Sequence, residues 1–366
     1  MTVKFGHIIL LIMIVLAVSC SKDDSDIPGG NGELPPETTA IVFAANEQQE
    51  QTVTRANEAD KMTRASTPLS DNGVKTFMVW GFKNMDTGLT AQGLQTVFPG
   101  YTVNWMANSA NTSTTNSNGW EYTNQQPLGK EQQTIKYWDW SAKAYRFFGV
   151  AGADETSNVT GKLNTAGDVF ILTYRANANV EETIPYYSRL WFSTGNIDDY
   201  PNKQFGRPVQ LEFIKPLSKV RILFIFEDPS KEAETRLTNM DFRPSDGNTI
   251  KLEGNVTVSY PLTGNNGKET FTASADAEGM TAFTEANHLY TVFPAPSGQS
   301  AYDLKIDVNG ETKPTTVPAA FMTWLPGYQY TYIFKIHIDG SVSIDSVQLA
   351  FTEWHIQEGN HTVYNW

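Results

Sequence analysis

The chain has 366 residues, with 27 Lys and Arg against 40 Asp and Glu, for a formal net charge of −13. Such acidity disfavours nucleic acid and anionic lipid headgroups as partners, and a single cysteine excludes an intrachain disulfide. Aromatic residues make up 12% of the chain, which suits half-buried pleated sheet better than helix.

Residues 1–19 read as a signal peptide. Lys4 precedes an apolar run from Ile8 to Val18 that is too short to cross a bilayer comfortably, and small residues at Ala17 and Ser19 suit a peptidase site. Cys20 directly after that site resembles the lipobox of bacterial lipoproteins, in which the thiol and the new amine are acylated. Several acyl chains give stable anchoring where one would be marginal. Residues 20–36 then form a tether. Ser21 to Asp26 is charged and Pro28-Gly29-Gly30 is flexible. Its acidic start resembles the signal that sends Bacteroidota lipoproteins to the outer face of the outer membrane.

The first expected strand is Ala40-Ile41-Val42-Phe43-Ala44. The stretch from Asn46 to Ser66 carries Arg55 and Arg64, has no apolar period and reads as a loop. Phe77 to Phe82 is an apolar run buried on both faces, and Tyr101 to Trp105 and Trp120-Glu121-Tyr122 are further strands. The Asn-, Ser- and Thr-rich residues 106–119 between them form a surface loop. Strands are also expected over Tyr145 to Val150 and Val169 to Tyr174. The turn-rich Asp198 to Lys203 marks a domain boundary, which divides the body into residues 37–205 and 206–366.

Beyond the boundary Val209, Leu211 and Phe213 alternate with polar residues, and Val220 to Phe226 reads as a central sandwich strand. Ser230 to Leu237, after Pro229, is the best helix candidate. Tyr302 to Val308 and Tyr328 to Ile338 alternate and end at Asn309-Gly310 and Asp339-Gly340, dipeptides that suit type I′ turns. Val342 and Ile344 start a return strand that continues through Val347, Leu349 and Phe351. Many short strands at this spacing point to an all-β sandwich architecture.

Chemistry-bearing motifs are sparse. His355, Glu358 and His361 lack the i, i+4 spacing of a helical zinc site, and the sequence contains no phosphate loop and no G-x-S-x-G elbow. No catalytic role, cofactor or metal is expected, and His337 reads as a surface or edge residue. Trp138, Trp140 and Trp191 are the residues that could form a carbohydrate platform.

The ordered set of segments resembles the fimbrillins, Mfa1-like and FimA-like lipoprotein subunits of Bacteroidota type V pili. The segments are the Cys20 lipobox, Ile41-Val42-Phe43 followed by Thr-Arg-Ala at 54–56 and 63–65, and Tyr101 to Trp105 with Trp120-Glu121-Tyr122. They continue with Ile135 to Asp139, Tyr145 to Gly149, Phe213 to Val220 and Thr352-Glu353-Trp354. The resemblance implies two transthyretin-like β-sandwich domains in tandem and export as a surface lipoprotein. It also implies assembly with other fimbrial subunits by protease-triggered strand exchange, and adhesion to a host or bacterial surface receptor.

In that scheme Ile41, Val42 and Phe43 form a strand displaced after a cut at Arg55 or Arg64. Arg64 is favoured because strand structure starts soon after it. The incoming strand comes from the C-terminal stretch with Val347, Leu349, Phe351, Val363 and Trp366. The alternative function is a surface glycan-binding lipoprotein of a polysaccharide-uptake system. A third, a secreted hydrolase, needs convergent carboxylates in a cleft.

Overall fold

The computed structural model describes residues 40–49, 53–54, 65–105, 119–123, 133–153, 159–194, 205–265 and 267–351. Cys20, Arg55, Arg64, Val363 and Trp366 lie outside the described residues, as do Asp198 to Lys203 and the 106–118 part of the neutral loop.

The described residues are almost entirely strand. In chain order these are β1 Phe43–Gln49, β2 Val53–Thr54, β3 Ala65–Pro68, β4 Thr76–Asn84, β5 Leu94–Trp105 and β6 Trp120–Glu121. Next come β7 Ala144–Ala151, β8 Thr160–Leu163, β9 Val169–Asn177, β10 Tyr186–Ser188, β11 Trp191–Thr194 and β12 Val209–Ile214. Then follow β13 Ser218–Phe226, β14 Leu237–Pro244, β15 Ile250–Lys251, β16 Glu253–Pro261, β17 Thr270–Ala275 and β18 Gly279–Met280. The last five are β19 Leu289–Val292, β20 Tyr302–Val308, β21 Glu311–Val317, β22 Tyr328–Ile336 and β23 Val342–Phe351. Helix among the described residues is confined to short 3₁₀ turns. The helix expected over 230–237 is one of them, Pro229–Glu234, capped by the Asp228 carboxylate at Ser230 N–H. Leu237 already belongs to β14.

The largest sheet runs β3-β1-β12-β10-β7-β4-β5-β6, with β11 paired to β7. Its central strands are apolar on both faces, as the run at Phe77 to Phe82 requires. Phe77 and Val79 enter a first core with Phe147, while Trp80 and Phe82 enter a second core with Phe148. The second core lies against the four-stranded sheet β17-β16-β9-β8. There the Phe148 and Tyr260 rings stack, their centroids 4.0 Å apart. Around the first core the large sheet curls. Phe43 on β1 and Phe98 on β5 are separated by four intervening strands. A flat sheet with strands about 4.8 Å apart would hold them about 24 Å apart, yet their ring centroids are 5.2 Å apart.

A third core lies between the sheets β19-β13-β22-β23-β2 and β14-β20-β21. Here β13 is central, as its apolar run suggests, flanked by β19 and β22. The Asn309-Gly310 turn has positive φ at both residues, 52° and 89°, which is the I′ signature. The second hairpin differs from the expectation: β22 stops at Ile336, and only Gly340 of the Asp339-Gly340 pair has a positive φ. Past Ile336, His337 N–H donates to Ser341 O and Ile338 N–H donates to the Glu227 carboxylate, so neither donor continues the ladder with β13.

Backbone pairing crosses the boundary expected between 205 and 206. β12 is an interior strand of the large sheet, bonded to β1 and β10, and β16 pairs with β9 over Glu253 to Pro261. The segment after Phe43 departs from the loop reading. β1 continues to Gln49 because β3 pairs with Asn46 to Gln49, so backbone hydrogen bonds hold a stretch that has no apolar period.

Candidate functional site

The site is the slot that holds the N-terminal strand. β1 lies between β12, which runs parallel to it, and β3, which runs antiparallel. Ile41 and Phe43 have no exposed surface, Ala45 is 1% exposed and Val42 is 4% exposed. Full burial of a side chain such as Ile or Phe stabilises by roughly 1.5–3 kcal/mol. The slot is therefore closed by apolar burial as well as by the ladder.

Phe43 is fully buried. Its ring meets Phe77, Phe98, Tyr122 and Phe147 edge-to-face, with centroids 6.1, 5.2, 5.9 and 5.8 Å away. Edge-to-face packing is a favoured aromatic geometry. Gly81 makes the arrangement possible: a Cβ there would lie 2.7 Å from the Phe147 ring and 2.8 Å from the Phe98 ring.

The backbone just ahead of β1 is held by three further hydrogen bonds. Ile41 N–H donates to Lys136 O at 2.8 Å, the Tyr122 hydroxyl donates to Ile41 O at 2.8 Å, and Val209 N–H donates to Val42 O at 2.8 Å. Burial raises the Tyr122 phenol pKa, against the opposing effect of a backbone hydrogen bond at Lys136. The hydroxyl stays protonated and remains a donor throughout the physiological range.

The segment 133–142 forms one wall. Trp138 is 2% exposed and stacks on Phe205, and the Tyr145 hydroxyl accepts from Asp139 N–H at 2.7 Å. Lys83 and Asp139 form an ion pair at the rim. Burial acts to raise the Asp139 pKa, but hydrogen bonds from Lys83 and Ser141, with the Lys83 charge, hold it below the ordinary carboxylate value.

Beyond β1 the same N-terminal piece joins a different sheet, β19-β13-β22-β23-β2. β2 pairs antiparallel with the outer edge of β23, Val53 opposite Leu349 and Thr54 opposite Gln348. The described residues on either side of Arg55 and Arg64 are therefore strands: β2 ends at Thr54 and β3 begins at Ala65.

The structure brings Ile41, Val42 and Phe43 together in the slot and places Val347, Leu349 and Phe351 in β23, paired with Tyr332, Tyr330 and Tyr328 of β22. Val347 is 4% exposed and Leu349 packs against the third core, so the expected incoming strand is held in its own sheet. Sequence reasoning missed Tyr122, Lys136 and Gly81 as supports of the slot. An isolated Tyr or Gly carries no signal of a contact made across dozens of residues.

The tryptophans do not form an exposed row. Trp138 and Trp191 are buried in the first core, and Trp140 is half-buried against it with its indole N–H covered. Residues 138–143 are not strand, so the alternate spacing of Trp138 and Trp140 sets no common face. Among the described residues no three His, Cys, Asp or Glu side chains are grouped as a metal site would need.

Solved structures similar to this chain include a candidate cell adhesion protein of Bacteroides ovatus ATCC 8483. It shares 12% identity over 88% of this chain and 99% of that one, with a TM-score of 0.41. A fimbrial protein of Bacteroides vulgatus ATCC 8482 shares 12% identity over 86% and 99%, with a TM-score of 0.40. A fimbrial assembly protein of Parabacteroides distasonis ATCC 8503 shares 11% identity over 84% and 99%, with a TM-score of 0.34. No protein-family profile and no curated protein matches the sequence.

Proposed function

We propose that this chain is a fimbrillin-like subunit of a cell-surface fibre, exported as a lipoprotein anchored through Cys20 and assembled with other subunits by strand exchange. One observation carries the reading. An N-terminal strand with Ile41, Phe43 and Ala45 fully sunk in the first core is followed by a segment bearing Arg55 and Arg64. A cut after either arginine separates β1 and β2 from everything that follows. Loss of β1 uncovers the backbone groups of β12 and β3 and an apolar slot lined by aromatic rings, an edge that another strand can fill. The parallel β1–β12 pairing fits a strand added to an otherwise complete scaffold, because no tight turn can join parallel neighbours.

In this reading the tether from Cys20 holds the unprocessed chain at the outer membrane and the processed body joins the fibre. The two sandwich regions provide structural and adhesive surface, and no catalytic role is assigned. The test is electron microscopy of material sheared from cells that make the wild-type chain or the double variant Arg55→Ala, Arg64→Ala. Fibres from the wild type and none from the double variant are expected. Equal fibres from both would overturn protease-triggered assembly.

A further inference from the structure

We infer that β17 is the edge through which two copies of this chain pair side by side, antiparallel, about a two-fold axis at Ala273. The inference stands apart from strand exchange, because it uses neither the N-terminal strand nor the C-terminal one.

Exposed sheet edges recruit other strands, and folded proteins blunt long ones with charge, proline or a bulge. The described edge strands longer than four residues are β14, β17 and β21. β14 carries Asp241 and Arg243 and has a bulge between Thr238 and Asp241. β21 carries Glu311, Lys313 and Pro314. β17, Thr-Phe-Thr-Ala-Ser-Ala, has no charge and no proline, and its register with β16 is unbroken.

The ladder shows which groups face the open side. Asp276 N–H donates to Glu253 O at 2.9 Å, so that pair is hydrogen-bonded, and such pairs alternate along an antiparallel ladder. Thr270, Thr272 and Ser274 therefore bond to β16. Phe271, Ala273 and Ala275 turn their N–H and C=O groups to the open edge, where no described strand pairs with them. The other side of β16 agrees. Ala178 N–H donates to Leu252 O, which assigns the even-numbered residues of β16 to β9 and leaves the odd-numbered ones to β17.

An edge with this pattern is complementary to itself. Centred on Ala273, it opposes Ala273 to Ala273 of the second copy and Phe271 to Ala275, and each such pair exchanges two main-chain bonds. The two-fold axis closes the contact at two copies. On the outer face Thr272 meets Ser274, hydroxyl to hydroxyl. On the inner face only a methyl group lies at the axis. Phe271 of one copy comes beside Ala275 of the other. There Ala273, Ala275, Phe293 and residues 294–300 line a cavity of about 390 Å³, which has room for the ring.

Charge selects this register. Lys268 and Glu278 flank the strand, both are exposed, and neither forms an ion pair among the described residues. Centring on Ala273 sets Lys268 opposite Glu278 of the second copy, and symmetry repeats the pair. Centring on Thr272 sets Lys268 against Asp276, which Arg175 already holds. Centring on Ser274 sets Lys268 against Met280 and Glu278 against Thr270.

The test is the association state of the full chain carrying Cys20→Ala, so that no acyl group is attached. Sedimentation velocity over about 1–100 µM, a range suited to a small interface, should show a monomer–dimer equilibrium. Ala273→Pro removes an outward donor at the axis and no bond to β16, so it should keep the melting temperature and abolish the dimer. Lys268→Glu and Glu278→Lys should each raise the dissociation constant about tenfold, and the double reversal should restore it. Monomer at every concentration overturns the inference. So does a dimer that tolerates Ala273→Pro in a folded chain, or one that the double reversal fails to restore. If Ala273→Pro unfolds the chain, the charge reversals, which lie outside the strand, decide alone.

Discussion

The Tyr122 hydroxyl donates a 2.8 Å hydrogen bond to the carbonyl of Ile41 and also accepts from Lys136 N–H at 3.1 Å. One buried phenol thus ties the entry of the N-terminal strand to the wall segment beside it. Tyr122→Phe keeps the ring against Phe43 but leaves a buried donor and acceptor unmet, which costs about 1–3 kcal/mol. Chemical denaturation of the unprocessed chain should show a loss in that range. Hydrogen exchange should rise first at residues 41–46, and unchanged exchange there would show that the bond does not hold the strand.

Phe43→Ala removes the ring on which four others converge. Core Phe to Ala changes cost about 3–5 kcal/mol, because the cavity left behind collapses only partly. The expected outcome is a lowered unfolding midpoint for the unprocessed chain with little change in the processed body, which no longer contains residue 43. Equal destabilisation of both forms would argue that the strand stays in place.

The contact of β2 with β23 predicts a remote effect of processing. A cut between Thr54 and Ala65 should raise amide exchange at Gln348 and Leu349, although β23 belongs to a different sheet from β1 and β12. The arginine double variant should keep those amides slow. Identical exchange before and after processing would show that the two-residue pairing does not protect the edge.

Acid should weaken both the wall and the Lys335–Asp345 ion pair between β22 and β23. Hydrogen bonding to Lys335 and its charge outweigh burial and hold Asp345 below the ordinary carboxylate value, and Asp139 is depressed by Lys83 and Ser141 against burial. A carboxyl depressed in the folded state contributes stability that is full above its unfolded pKa and is lost as pH falls through its folded value. The melting temperature should therefore fall below about pH 4, where unperturbed carboxylates titrate. Asp139→Asn and Asp345→Asn should each reduce the steepness of that fall.

Much of this architecture was legible in the sequence, because strands with one buried face write it as a period of two. β9, β12, β13, β20 and β22 fall within a few residues of their expected limits. The apolar run at Phe77 to Phe82 identified the strand between two cores. The C-terminal strand showed a change of phase, with Val342 and Ile344 even and Val347, Leu349 and Phe351 odd, and the bulge at Asp345 is its physical cause. What was not legible depends on pairing at long range. β1 extends through Gln49 only because β3 bonds to it, and the curl that brings Phe43 to Phe98 follows from sheet order. Ile41-Val42-Phe43 was recognisable as an apolar segment, whereas the supports of its slot at Gly81, Tyr122 and Lys136 come from three separate parts of the chain.

Mass spectrometry of subunits in fibres sheared from cells decides whether the N-terminal strand is a removable plug. Subunits that begin at Ala56 or Ala65 and contain no peptide spanning Ile41 to Phe43 are expected. Fibres whose subunits retain residues 20–54 would contradict it.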